Sequence, residues 1–428
     1  MKKVLVIAYY FPPMGLSGVQ RTAKFVKYLP DFGWKPFVLT INPTAYYAFD
    51  ETLLDELKRR DVEIIRTDTR DITKAAAQTS GTRDLTMPAE SSRRFLSALS
   101  QLVFIPDNKI GWKKFALAKA SEIIERENID VIFSTAPPFT AHLVGLELRS
   151  KYQLPLVVDF RDPWVNNPSH LYWSPFHKRR HLALEESVLM KADRVIAVNR
   201  ALKEDWIKRY FGKLTHKDVS IIPHGFDPDD FALATPDKRV ARKLRFVYSG
   251  RFYNSSPKPF FHGLKLAFDQ QPELREKVEA VFVGVFPKEY MKLAESFGLQ
   301  FLVESKGYRP HLEAVKEILK GDVLWATLAD MRGMGNITAA KLFEYIAAGK
   351  TLFGIVPEGA SKNFILDANG LTAHPNSPWE IAEKILELYR LWKTQSLPVP
   401  PPEMVERYNR RNLTEQLARE FEQLMLPD

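Results

Sequence analysis

Apolar residues gather in short, mostly apolar runs along this chain, with longer stretches between them where they recur at helical spacing. Val4–Ala8 is the first run; Pro36–Leu39, Val62–Arg66, Val131–Ser134, Leu156–Val158, Arg194–Val198 and Val219–Ile222 follow. Runs of this length without alternation predict strands covered on both faces, as in a parallel sheet. Val19 to about Leu29, Trp112–Arg126 and Leu202–Tyr210 read as helices between them. The pattern resumes after a break. Strands are predicted at Leu244–Arg251, Ala280–Val283, Phe301–Val303, Val323–Ala326 and Thr351–Val356, with helices at Trp379–Trp392 and on to about Met425. The break itself is turn chemistry, Pro223-His-Gly-Phe-Asp-Pro-Asp-Asp-Phe231, then a polar run to about Lys243. Strand–helix alternation on both sides predicts an α/β protein with two tandem doubly wound, Rossmann-like parallel-sheet domains, 1–225 and 226–402.

Composition agrees and narrows little. A chain of 428 residues is the length of two average domains. Its 45% apolar and 26% charged content is globular. A net charge of +9 suits anionic ligands, a phospholipid surface or nucleic acid and selects none of them. The absence of cysteine removes disulfides and thiolate metal sites, and fits a reducing cytosol. The apolar start is short, is broken by Pro12-Pro13 and lacks a small-residue cleavage site, so a buried first strand is expected instead of a signal peptide. No run reaches the 18 or so apolar residues of a membrane span.

One stretch carries the most chemistry. Gly333-Met-Gly-Asn-Ile-Thr-Ala-Ala-Lys-Leu-Phe-Glu-Tyr-Ile-Ala-Ala-Gly349 reads as a flexible loop, a helix capped by Asn336 or Thr338, and a terminating glycine. Leu342, Phe343, Ile346 and Ala347 share a buried face, with Lys341 and Glu344 on the other side. A glycine loop, a helix start and a lysine in its first turn can hold an anion, and Glu344 can accept hydrogen bonds from paired hydroxyls. An ordinary βαβ unit with a solvated Lys–Glu pair is the alternative.

Further candidates lie where strands end, since parallel sheets bind ligands there. Gly15 and Gly18 in Phe11-Pro-Pro-Met-Gly-Leu-Ser-Gly18 permit close backbone approach, or simply a tight turn; the loop is neither a dinucleotide fingerprint nor a P-loop. Arg251, after Ser249-Gly250, can reach a phosphate, and Lys258 can join it or be surface charge. Asp159-Phe-Arg-Asp162 is either a working site or an internal Arg–Asp pair that shapes the loop. His142 near a helix start is either functional or structural. His177-Lys-Arg-Arg-His181 is a basic run on a predicted helix without any nucleic-acid signature, so no nucleic-acid partner is expected.

Taken together, Tyr10–Gly18, Ala192-Asp-Arg-Val-Ile-Ala-Val-Asn199, Ile222-Pro-His-Gly-Phe-Asp227, Ser249-Gly-Arg251 and Lys341-Leu-Phe-Glu-Tyr-Ile-Ala-Ala-Gly-Lys350 resemble the GT-B glycosyltransferases, specifically the retaining family four. The resemblance spans nearly the whole chain. It implies a first, acceptor-side domain, a second domain holding a nucleotide-sugar donor, and a last helix, about 403–428, crossing back to the first. By match, Arg251 and Lys258 would contact the donor diphosphate, with Gly15 and Gly18 near the phosphates. Glu344 would bind ribose as the second acid of the E-x7-E signature, and Lys341 and Leu342 would belong to the same donor stretch. The first acid falls on Asn336, which can bond a sugar hydroxyl but has no charge. His142 and Asp162 resemble active-site residues of the first domain, beside Arg251 as the catalytic cation.

The activity implied is transfer of a sugar from a nucleotide-diphosphate sugar to a glycan or lipid-linked saccharide in cell-envelope polysaccharide synthesis. Arg251, the helix start and Lys341 would stabilise the leaving diphosphate, with no metal and no cofactor beyond the nucleotide-sugar co-substrate. A catalytically degenerate partner subunit and, less favoured, a nucleotide-sugar epimerase are the alternatives. A cytoplasmic protein is expected. Arg93 and Arg94, beside Phe95, Leu96, Leu99, Leu102, Val103 and Phe104, form a basic amphipathic segment that either docks on an anionic membrane at its inner face or packs on the core.

Overall fold

The computed structural model describes residues 1–15, 17–43, 49–60, 62–70, 100–168, 170–234, 243–252 and 254–426. The chain forms two units, Met1–Pro223 with Arg411–Asp428, and His224–Arg410.

The first unit holds β1 (Lys2–Ile7), β2 (Trp34–Ile41), β3 (Glu63–Thr67), β4 (Val131–Ala136), β5 (Leu156–Phe160), β6 (Arg194–Ala197) and β7 (Val219–Ile221). They make one parallel sheet in the order β3-β2-β1-β4-β5-β6-β7. Val4, Leu5, Val6 and Ile7 are all fully buried, which is why β1 shows no polar alternation. One sheet face packs on the helices Lys113–Glu127 and Thr140–Tyr152. The other packs on the helix Ser17–Tyr28 and on the last helix, Arg410–Gln423, whose Leu413, Leu417 and Phe421 join the cluster of Val4, Val6 and Phe133.

The second unit holds β8 (Leu244–Ser249), β9 (Val278–Val283), β10 (Val303–Gly307), β11 (Val323–Thr327), β12 (Thr351–Ile355) and β13 (Leu371–Ala373). Their order is β10-β9-β8-β11-β12-β13, again parallel throughout. Both sheets reverse direction of strand order once, between β1 and β4 and between β8 and β11. Crevices for ligands open at such switch points, beyond the carboxyl ends of the strands.

Three expectations need correction. The last strand before Gly307 begins at Val303, not Phe301, because β10 is an edge strand and Phe301 is exposed. The short helix Pro402–Arg407 stays with the second unit, anchored by Met404 in its core, so the segment returned to the first unit starts at Arg411 instead of about 403. The helix expected near Asn336 begins only at Lys341. Residues 71–99, which include positions 93–99 of the basic amphipathic segment, lie outside the described residues. Among the described residues no helix is long and apolar enough to cross a membrane.

Candidate functional site

In the second unit the site is built at the switch point from the ends of β8 and β11. Gly250 ends β8 with φ +93°, a conformation suited to glycine, and its amide donates to Val283 O (2.7 Å). Gly284 follows β9 with φ +123°, and a Cβ there would stand 2.5 Å from Gly250 O. The two strand ends are therefore locked by a backbone-to-backbone approach that only glycine allows. Tyr345 fixes the same end from the other side, accepting the Ser249 amide on its hydroxyl (2.8 Å). Tyr248 donates its hydroxyl to Arg251 O (3.1 Å), so the backbone that carries Arg251 is tied down.

Lys341 is the first residue of the helix Lys341–Ala347, and its side chain does not lie on a solvated face. Its Nζ sits 3.4 Å from the centroid of the Tyr248 ring, is buried, and has no hydrogen-bond partner among the described residues. Burial pushes its pKa well below the ordinary lysine value, and the Glu344 carboxylate one turn on only partly offsets that. An unpaired buried amine is costly unless something else supplies the anion. Glu344 is half-buried. His311 Nδ1 lies 3.9 Å from its Oε1, and His311 Nε2 stands 3.0 Å from Asp230 Oδ2. Asp230 thus orients a histidine that faces Glu344.

Asn336 and Thr338 do not cap the helix: its N-cap is Ala340, with no side-chain bond. Gly333 at φ +88° starts a 3-10 turn, Met334–Asn336, and Ser361 then holds the next stretch extended. The Ser361 hydroxyl accepts from Ala339 N (3.1 Å) and donates to Ile337 O (2.8 Å). Gly349, at φ +63°, does stand just past the helix end. Leu342 is buried in the core with Phe343 and Ile346, so its side chain is structural. Lys258 is exposed at the start of the helix Lys258–Gln270.

In the first unit, the Asp159-Phe-Arg-Asp162 segment leaves β5 beside the Gly15–Gly18 loop. Asp159 pairs with Arg21, not with Arg161. Arg21 Nη2 and Nε reach Asp159 at 2.7 and 3.1 Å, while its Nη1 and Nη2 donate to Pro223 O (2.6 Å) and Ile222 O (2.8 Å). Thr135 donates a further bond to the carboxylate (2.8 Å). Arg161 gives its guanidinium to the carbonyls of Ala136, Pro137 and Gly18, pinning the start of the helix Ser17–Tyr28 to the end of β4. Asp162 is half-buried and accepts no hydrogen bond among the described residues. Burial raises its pKa, opposed by Arg161. Gly15 is buried in the loop, whereas Gly18 is exposed in the first turn of the helix Ser17–Tyr28.

His142 is enclosed completely between its helix and the sheet. Its Nδ1 meets Ser134 Oγ at 2.8 Å and its ring lies 4.5 Å from that of Phe160. Burial lowers its pKa to about 3, so it is neutral and cannot serve as an accessible acid. This placement suits the structural reading of His142 over the catalytic one. The residues that sequence reasoning passed over are Tyr248, Tyr345, His311, Ser361 and Arg21. Only Tyr345 stood inside a segment already marked.

Residues 51–230 match the Glycosyltransferase Family 4 domain. A curated, uncharacterized glycosyltransferase of Methanocaldococcus jannaschii is 25% identical over 210 residues, which cover 47% of this chain and 50% of that protein. The chain thus spans about half the length of the curated relative it matches. Among solved structures, Anabaena HepE in complex with UDP and glucose superposes with a TM-score of 0.65 at 17% identity, covering 99% of this chain and 100% of that one. Sucrose-phosphate synthase from Thermosynechococcus elongatus superposes at 0.66 and 15% identity, with 99% of each chain covered. With parallel-sheet units of seven and six strands and these likenesses, the chain has the two-unit GT-B fold, and residues 51–230 resemble the Glycosyltransferase Family 4 domain.

Proposed function

We propose that this protein transfers a sugar from a nucleotide-diphosphate sugar, bound in the second unit, to a saccharide acceptor served by the first. The observation that carries this reading is the buried Lys341 amine at the β8/β11 switch point, without a hydrogen-bond partner among the described residues, next to Gly250 and one turn before Glu344. A diphosphate would supply the missing anion. Glu344, with His311 behind it, would accept the ribose hydroxyls. Arg251 and Lys341 would stabilise the charge that grows on the leaving diphosphate, without a metal. The Anabaena protein's UDP and UDP-glucose complexes support a nucleotide-sugar donor on this fold. Retention of configuration and a glycan or lipid-linked acceptor are what the family likeness suggests, and Asp162 is the acceptor-side group we favour, since its carboxylate accepts no hydrogen bond among the described residues.

A thermal-shift screen with UDP, GDP and ADP, then with the matching sugars, tests the reading. One nucleotide should raise the melting temperature, and Arg251→Ala should abolish the rise. Asn336, uncharged where the family has its first acid, favours a second reading as a degenerate partner subunit. A screen in which no nucleotide shifts the transition would support that instead.

A further inference from the structure

The helix Pro175–Lys191 turns inward a histidine cluster that neither the donor nor the acceptor chemistry uses. His177 and His181, four residues apart, lie on its buried face. Their Nε2 atoms stand 3.3 Å apart, and the His170 ring meets the His181 ring at 4.6 Å. Trp164 donates its indole N–H to His181 Nδ1 at 3.0 Å. An indole nitrogen can only donate, so the neutral His181 ring accepts on Nδ1 and carries its proton on Nε2. That proton points at His177 Nε2, which accepts it. The His177 proton is left on Nδ1, buried and without a hydrogen-bond partner among the described residues. The one accepting nitrogen of each ring is thus occupied. A proton added to either ring sets two N–H groups against each other, Trp164 against His181 or His181 against His177.

The charged groups on the surrounding elements are engaged elsewhere. Glu185, one turn along the same helix, is held by Arg209, the Tyr210 hydroxyl and the Val165 amide. Asp205 takes Arg209 and Asn166, Glu147 takes Lys113, Asp193 takes Arg149, and Asp162 interacts with Arg161. Lys178, over the Tyr172 ring, adds only positive charge. Burial and the neighbouring imidazoles lower the pKa of His181 to about 3 and that of His170 to about 4. The bonds at stake hold the segment that leaves β5. Trp164 stacks on Phe139 at 4.4 Å, the Val165 amide donates to Glu185 Oε2 (2.9 Å), and Tyr172 donates its hydroxyl to Val165 O (2.7 Å). We infer that residues 162–168, with Asp162 at their start, are latched to the helix while the His177–His181 pair is neutral, and that proton uptake by the pair releases them. This is independent of the transferase reading. A metal on His181 Nε2 does not fit, because the ring would then need its proton on Nδ1, where the Trp164 N–H points.

Hydrogen exchange of the full chain without nucleotide, read by mass spectrometry between pH 7 and 5, tests it against β4 as the marker of global opening. Residues 162–168 should exchange faster than β4 at every pH, through a local opening. Corrected for the intrinsic rates, that opening should rise about tenfold per pH unit below about pH 6, as one released ring regains its ordinary proton affinity. In His177→Gln/His181→Gln the rise should be lost. The wild-type slope decides the matter even where that variant fails to fold. Exchange of 162–168 in step with β4, a local opening indifferent to pH, or an unchanged slope in the folded variant overturns the inference. So does slower exchange on adding Zn²⁺ at pH 7, which would make the cluster a metal site.

Discussion

The Lys341 Nζ rests 3.4 Å above the Tyr248 ring with no hydrogen-bond partner among the described residues. A ring face stabilises a cation weakly compared with a carboxylate or phosphate. The side chain is therefore held ready for an anion at the cost of its own charge. At about pH 9, where an ordinary lysine is protonated, binding of a nucleoside diphosphate should draw a proton onto Lys341. Calorimetry in two buffers of different ionisation enthalpy should report that uptake for the diphosphate and none for the nucleoside alone.

Lys341→Met separates stability from binding. The free protein should melt at the same temperature or higher, since an unpaired buried amine is removed. Diphosphate affinity should fall by about 2 kcal/mol, the scale of a charge-assisted hydrogen bond. A lower Tm with intact affinity would make the residue structural.

Glu344→Ala should weaken nucleotide binding by tenfold or more while leaving inhibition by inorganic pyrophosphate unchanged, because pyrophosphate has no ribose. His311→Ala should do the same more mildly. Competition binding with both ligands checks the split.

Arg21→Met should cost about 3–5 kcal/mol of stability, because it leaves Asp159 charged, buried and deprived of its bidentate partner. Denaturant unfolding measures this, and a loss below about 1 kcal/mol would show that the carboxylate finds another partner or solvent.

His142 links stability to acid. Its folded pKa of about 3 lies below that of the unfolded chain, so its contribution is complete above the unfolded value of about 6.5. Stability should fall by about 1.4 kcal/mol per pH unit on acidification between those limits, before other groups are counted. His142→Gln should flatten that slope in urea melts from neutral pH downward.

The strands were legible wherever burial on both faces made an unbroken apolar run, as in β1, β4 and β11. β13, three residues long, and the exposed edge strand β10 carried too little of that signal. Helix 341–347 was placed too early because the bonds that keep 337–339 extended come from Ser361, a residue more than twenty positions on. The Arg21–Asp159 pair spans 138 residues, and no local pattern reports such a partner. Periodicity correctly buried Leu342, Phe343 and Ile346 but set Lys341 on the opposite, solvated side. It cannot register that the Tyr248 ring, nearly a hundred residues earlier, covers the ammonium.

The central claim is that the second unit binds a nucleoside diphosphate through Arg251 and Lys341. Isothermal titration of UDP, GDP and ADP into the wild type, Arg251→Ala and Lys341→Met tests it directly. One of the three nucleotides should bind the wild type at a single site, and each variant should lose tenfold or more in affinity. No heat from any nucleotide, or equal affinity in all three proteins, would contradict the account.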